Sequence, residues 1–62
     1  MRINDLEYFK NKKVLVVLHN GYKITTTMPL LITQTLKLVD KYNKVALVDV
    51  NDITTIVEVM SQ

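Results

Sequence analysis

Hydrophobic spacing changes along this chain, and the changes divide it into elements. Leu6 and Phe9 stand three apart behind Asn4, a residue suited to N-capping, and Glu7 is placed to return the capping-box bond. This predicts a short helix over about residues 4–11. From Lys13 the chain turns to β-branched and aliphatic residues, VLVVL, and then meets Asn20-Gly21. Asn-Gly is the strongest short-range signal for a two-residue hairpin, because both turn positions need positive φ. Beyond it Tyr22, Ile24, Thr26 and Met28 alternate with Lys23, Thr25 and Thr27, the period-two signature of a strand with one wet face.

Pro29 removes a ladder donor and marks a bend or an edge. The following LITQTLKLVD admits two readings. A helix would place Pro29 at its first position, but Ile32, Thr33, Thr35 and Val39 would all lose side-chain freedom in it. A strand over residues 30–40 puts Ile32, Leu36 and Leu38 on one face with Gln34 and runs into the turn-rich DKYNK, and this reading is favoured. Val45 to Val50 forms a fourth strand, interrupted by NDI. Ile53 and Ile56, three apart, fit one tight helical turn that sets both in a core before Val57 and Val59 extend a last strand. The predicted fold is mainly β: a short N-terminal helix, then a five-stranded, strongly bent antiparallel sheet or small barrel, with strands between about 13 and 60 in one domain spanning 1–62. There is no internal repeat, linker or low-complexity run.

Composition narrows the function classes. A chain of 62 residues buries only about 60% of its unfolded surface, so its core has little to spare. It has no cysteine, so neither disulfides nor a thiolate zinc site can reinforce that core, and a reducing cytoplasm is the default expectation. The opening MRINDLEYFK carries charges where a signal peptide needs an apolar run, and no apolar stretch approaches the roughly 18 residues of a membrane span. Eight basic against six acidic residues leave a net charge of +2, spread rather than clustered, with KNKK at residues 10–13 the densest group.

The element order, with VLVVLHNGYKI and LKLVDKYNKVALVDVNDITTI, resembles the small five-stranded barrels of the Sm-like and Src-homology-three-like type. Leu18, Asn20 and Gly21 match the Sm-like first hairpin, and Val48, Asp52, Ile53 and Ile56 match its late V-x-x-x-D-I-x-x-I segment. The resemblance covers about residues 4–60 and implies a helix followed by a barrel. It does not carry over the family's RNA pocket. Thr25, Thr26 and Thr27 stand where the second strand usually has a glycine, Met28-Pro29-Leu30-Leu31 replaces the base-holding Asp and Asn, and Val50-Asn51-Asp52 replaces the late basic-glycine pair. With one glycine in the chain, curvature must come from bulges or from Pro29, which keeps an open curled sheet beside the closed barrel as an alternative.

Chemistry-bearing residues are sparse. His19 is the sole histidine, Ser61 is near the C-terminal end, no Gly-rich phosphate loop is present, and Asp49 and Asp52 adjoin a turn where Asp commonly bonds backbone amides. No enzymatic activity, metal or cofactor is implied. Tyr22 and Tyr42, with Lys23, Lys41 and Lys44 beside them, combine aromatic faces with positive charge in the manner of a single-strand nucleic-acid surface, provided the two turns lie at the same end of the fold. Val14 to Leu18 and Val45 to Val48 are apolar on both faces, where a monomeric small barrel should have one wet face. Leu15, Val17, Ala46 and Val48 are therefore candidate interface residues, to be covered in part by the helix and otherwise by another subunit or a partner protein. Two functions follow as expectations. One is a non-enzymatic small-barrel protein that self-associates through strand edges and contacts RNA or single-stranded DNA. The other is a protein-interaction module or inhibitor, of phage or mobile-element type, that docks an apolar strand face on a larger host protein.

Overall fold

In the computed structural model, which describes residues 1–59, the helix α1 covers Ile3–Glu7. It is shorter than the predicted span and starts one residue earlier. Arg2 holds the N-cap position in extended backbone with no side-chain cap, so Asn4 lies inside the helix instead of capping it. Apolar spacing prevails over capping here: Leu6 is fully buried, and Ile3, one turn before it, packs against the same core. Phe9 and Lys10 then donate backbone bonds to Leu6 and Glu7, and Asn11 at φ 60° turns the chain into the first strand.

Five antiparallel strands follow, as the alternation predicts, arranged in two sheets. The strands β1 (Lys13–Leu18), β2 (Lys23–Thr27) and β5 (Ile53–Glu58) form one sheet in the order β2-β1-β5, while β3 (Thr35–Val39) pairs with β4 (Val45–Asp49) in the other. No closed barrel forms: β2 and β3 share no ladder, because the chain between them, headed by Pro29, runs irregularly over residues 28–34. The extended reading of residues 30–40 thus holds for Thr35–Val39 and fails for 30–34. Even so, Ile32, Leu36 and Leu38 all reach the core. Across the split, the Thr26 hydroxyl donates to the Val39 carbonyl at 2.8 Å. Val50 N–H donates to the Gln34 carbonyl at 2.9 Å and so extends the β3–β4 pairing by one position.

The first hairpin is not the two-residue turn that Asn-Gly announces. Leu18 N–H bonds the Tyr22 carbonyl and Gly21 N–H bonds the Leu18 carbonyl, so His19, Asn20 and Gly21 make a three-residue loop. Of these only Gly21 takes positive φ, at 86°, which is the bulge position of such loops. Hydrophobic matching selects this loop. It pairs Val14 with Thr26 and Val16 with Ile24 inside, and Leu15 with Thr25 and Val17 with Lys23 outside. A two-residue turn would shift the register by one and set Val16 opposite Thr25 and Val17 opposite Ile24, mixing the faces. The second hairpin repeats the plan: Asp40 N–H bonds the Lys44 carbonyl, Asn43 N–H bonds the Asp40 carbonyl, and Asn43 carries φ 64°.

The tight turn near the C-terminal strand also lies earlier than predicted. It is a 3-10 turn at Val50–Asp52, capped by the Asp49 carboxylate on Asn51 N–H, and Ile53 and Ile56 both belong to β5. They share a face despite their odd spacing because the β1–β5 register shifts between Val17 and Leu18, a bulge that absorbs one residue. The core gathers Leu6, Val14, Val16, Ile24, Met28, Leu36, Leu38 and Val50 from both sheets and the helix. Met1, Ile3 and Phe9 join this inner core, so the helix plugs the space between the sheets and leaves their outer faces to solvent. Among the described residues no helix is long and apolar enough to cross a membrane. Ser61, and the end of the predicted last strand at residue 60, lie outside the described residues.

Candidate nucleic-acid interface

Two hairpin loops, built alike, meet at the split between the sheets. Tyr22 follows the first loop, its N–H held at 2.9 Å by the Asn20 side-chain oxygen. Tyr42 sits in the second, its N–H held at 2.8 Å by the Asp40 carboxylate, which also takes Lys44 N–H at 2.9 Å. Short polar side chains that bond backbone two residues on are the mechanism of both turns. Both rings are exposed, Tyr22 by 57% and Tyr42 by 71%.

Between the loops runs a groove of about 370 Å³ lined by Leu15, Tyr22, Lys23, Ile24, Thr25, Asp40, Lys41, Tyr42 and Lys44. All five residues that the sequence marks as a nucleic-acid surface, Tyr22, Lys23, Lys41, Tyr42 and Lys44, therefore line one groove. Its lining takes the consecutive residues Lys23, Ile24 and Thr25 from β2 and Leu15 from the outer face of β1, so it runs beside the open edge of β2 and onto the sheet's outer face. Lys23, Lys41 and Lys44 form no ion pair with any described residue. Asp40 is the single carboxylate in the lining, and two backbone amides already engage it. Lys41 Nζ lies 5.3 Å from the Tyr42 ring centre, a cation over an aromatic face.

Other candidates fall elsewhere. His19 donates its N–H to the Asp52 carbonyl at 2.8 Å and faces a separate hollow of about 190 Å³ with Leu18, Asn20 and Asp52. The HNGY stretch is thus a turn whose tyrosine enters the groove and whose histidine lies at a separate hollow beside the 3-10 turn. Asp49 is held below the ordinary carboxylate range, first by Asn51 N–H and next by the Gln34 amide at 2.8 Å, which makes it a structural cap. Lys10 pairs with Glu7 at 2.6 Å, and Lys12 pairs with Glu58 at 3.7 Å and lies over the Tyr8 ring, so most of KNKK serves the helix boundary.

The four interface candidates do not form one patch. Val48 is buried and Ala46 half-buried in the chain's own core, since they pair with Leu36 and Leu38 on the inner face of β3–β4. Leu15 and Val17 lie half-buried on the outer face of β1. The outer apolar positions of β3–β4 are instead Val39, Val45 and Leu47, the last 73% exposed. Sequence reasoning also missed Lys13, Thr27 and Asp40, which line the groove's continuation along β2. The signal for them is register: Lys13 pairs with Thr27 only when the hairpin loop has three residues. The chain matches no protein-family model, no curated protein and no solved structure.

Proposed function

We propose that this protein is a non-enzymatic binding module that holds single-stranded nucleic acid, RNA or DNA, in the groove between its two hairpin loops. The observation that carries the reading is the convergence of Tyr22 and Tyr42 with Lys23, Lys41 and Lys44 from loops about twenty residues apart in sequence. Stacking on exposed rings holds bases without regard to sequence, and lysines free of carboxylate partners hold the backbone. An Sm-like relationship, with self-association through strand edges, is part of the proposal. The unladdered edges of β3, β4 and β5 support it, since each leaves backbone groups free to pair with another copy.

Titration of a fluorescent single-stranded oligonucleotide at two salt concentrations tests the groove. Tyr22→Ala should cost about 1–3 kcal/mol of binding, and Lys41→Ala should weaken it less while flattening its salt dependence. Absence of binding at low salt, or binding indifferent to both substitutions, contradicts the proposal. A second reading, docking on a partner protein, draws on Leu31 at 80% exposure, with Leu30 and Leu47 also exposed. That reading gains from a negative oligonucleotide result.

A further inference from the structure

Beyond the aromatic residues the groove continues along β2 into a second hollow of about 200 Å³, lined by Lys13, Thr25, Thr26, Thr27, Val39, Asp40 and Lys41. Hydrogen-bond alternation in the β1–β2 ladder decides what this wall presents. Leu18 N–H to Tyr22 and Met28 N–H to Lys12 mark bonded pairs at both ends of the hairpin. Alternation then makes Val16/Ile24 and Val14/Thr26 bonded pairs as well, which leaves Lys23, Thr25 and Thr27 at the positions between. Their amide N–H groups and carbonyl oxygens both point away from β1, into the split between the sheets. No backbone bond joins them to any other element among the described residues.

We propose that this open strand edge is a phosphate track. A single strand stacks its bases on Tyr22 and Tyr42 and runs its backbone along β2 to Lys13, its phosphates meeting the edge amides, the Thr25 and Thr27 hydroxyls, and the Lys41 and Lys13 ammonium groups. The inference rests on the groove being a single-strand nucleic-acid site, and adds to it a direction and a length. The edge alternates these amide donors with carbonyl oxygens, so phosphate oxygens meet the N–H groups and the hydroxyls, and the lysines supply the charge that favours an anion there. Lys13 forms no ion pair with a described residue. From Lys23 to Thr27 the edge spans about 13 Å at about 3.3 Å per residue. That matches a site of about four nucleotides, the lower end for small nucleic-acid-binding barrels.

Fluorescence anisotropy with labelled oligothymidylates of two, four and eight nucleotides tests the track, using wild type, Tyr22→Ala, Lys13→Gln, Thr27→Val and, as an off-groove control, Lys37→Gln. Thr27→Val keeps a strand-forming shape, and circular dichroism verifies that each variant folds. Wild type should tighten by about tenfold from two to four nucleotides and little beyond. Lys13→Gln and Thr27→Val should remove that step while leaving dinucleotide affinity unchanged, Lys13→Gln should lower the salt slope by about 0.7, and Lys37→Gln should match wild type. Tyr22-dependent binding whose length step survives both Lys13→Gln and Thr27→Val overturns the track and spares the groove. Failure of wild type to bind any length overturns the groove and the track together.

Discussion

Gly21 holds φ at +86°, and a Cβ built there would meet nothing within 4 Å. Replacement is therefore resisted by backbone conformation and not by crowding. Gly21→Val should destabilise the domain by about 1–2 kcal/mol or more, since a β-branched residue tolerates the left-handed region worst, whereas Gly21→Asn should cost less. Urea unfolding reads both. Asp49 makes a pH prediction. Its carboxyl is held below its ordinary value by Asn51 N–H and the Gln34 amide, so the folded state favours the charged form. The stability this gives is complete above the ordinary carboxylate range near pH 4 and is lost as pH falls through the lowered folded value. Asp49→Asn should lower the urea midpoint at neutral pH, and the gap from wild type should narrow as pH falls below the ordinary carboxylate range. A gap that stays constant with pH would remove the charge from the explanation.

At the scale of elements, α1 contributes through one residue above all. Leu6 is fully buried, and Leu6→Ala should cost about 2–5 kcal/mol. The total stability of a domain this size is about 3–9 kcal/mol, so the substitution removes a large share of it and circular dichroism should show a much lower thermal midpoint. The two sheets are joined by smaller ties. Thr26→Val removes the hydroxyl that reaches the Val39 carbonyl and should cost about 1 kcal/mol, read as a lower thermal midpoint. These elements were unequally legible. The alternation over Tyr22 to Met28 and the inward pair Leu36 and Leu38 read directly, because side-chain parity follows from the strand period alone. Ile32 instead reaches the core from irregular chain, and Gln34, expected on the same face, is exposed. Loop length, the bulge beside Ile53 and the helix start at Ile3 did not read directly. Each is decided by which apolar residues find partners across the fold, and propensity carries no record of that.

The whole molecule presents its chemistry where its two sheets part. Tyr22, Lys23, Lys41, Tyr42 and Lys44 were readable as types, but their meeting depends on both loops lying at one end of the split, which alternation permits and only the fold decides. The outer faces were misread for a related reason: Ala46 and Val48 turn inward by register and leave Leu47 outside. Self-association through unladdered edges predicts a mass above that of the single chain in light scattering at micromolar concentration, falling on dilution. If one groove, formed by both hairpin loops, receives a single strand, amide chemical-shift mapping during titration with a short oligothymidylate should show saturating shifts at Tyr22 to Thr25 and at Lys41 to Lys44 together, with His19 and the 30–31 loop unmoved. Shifts confined to one loop, shifts centred on Leu30, Leu31 or Leu47, or an unchanged spectrum would contradict it.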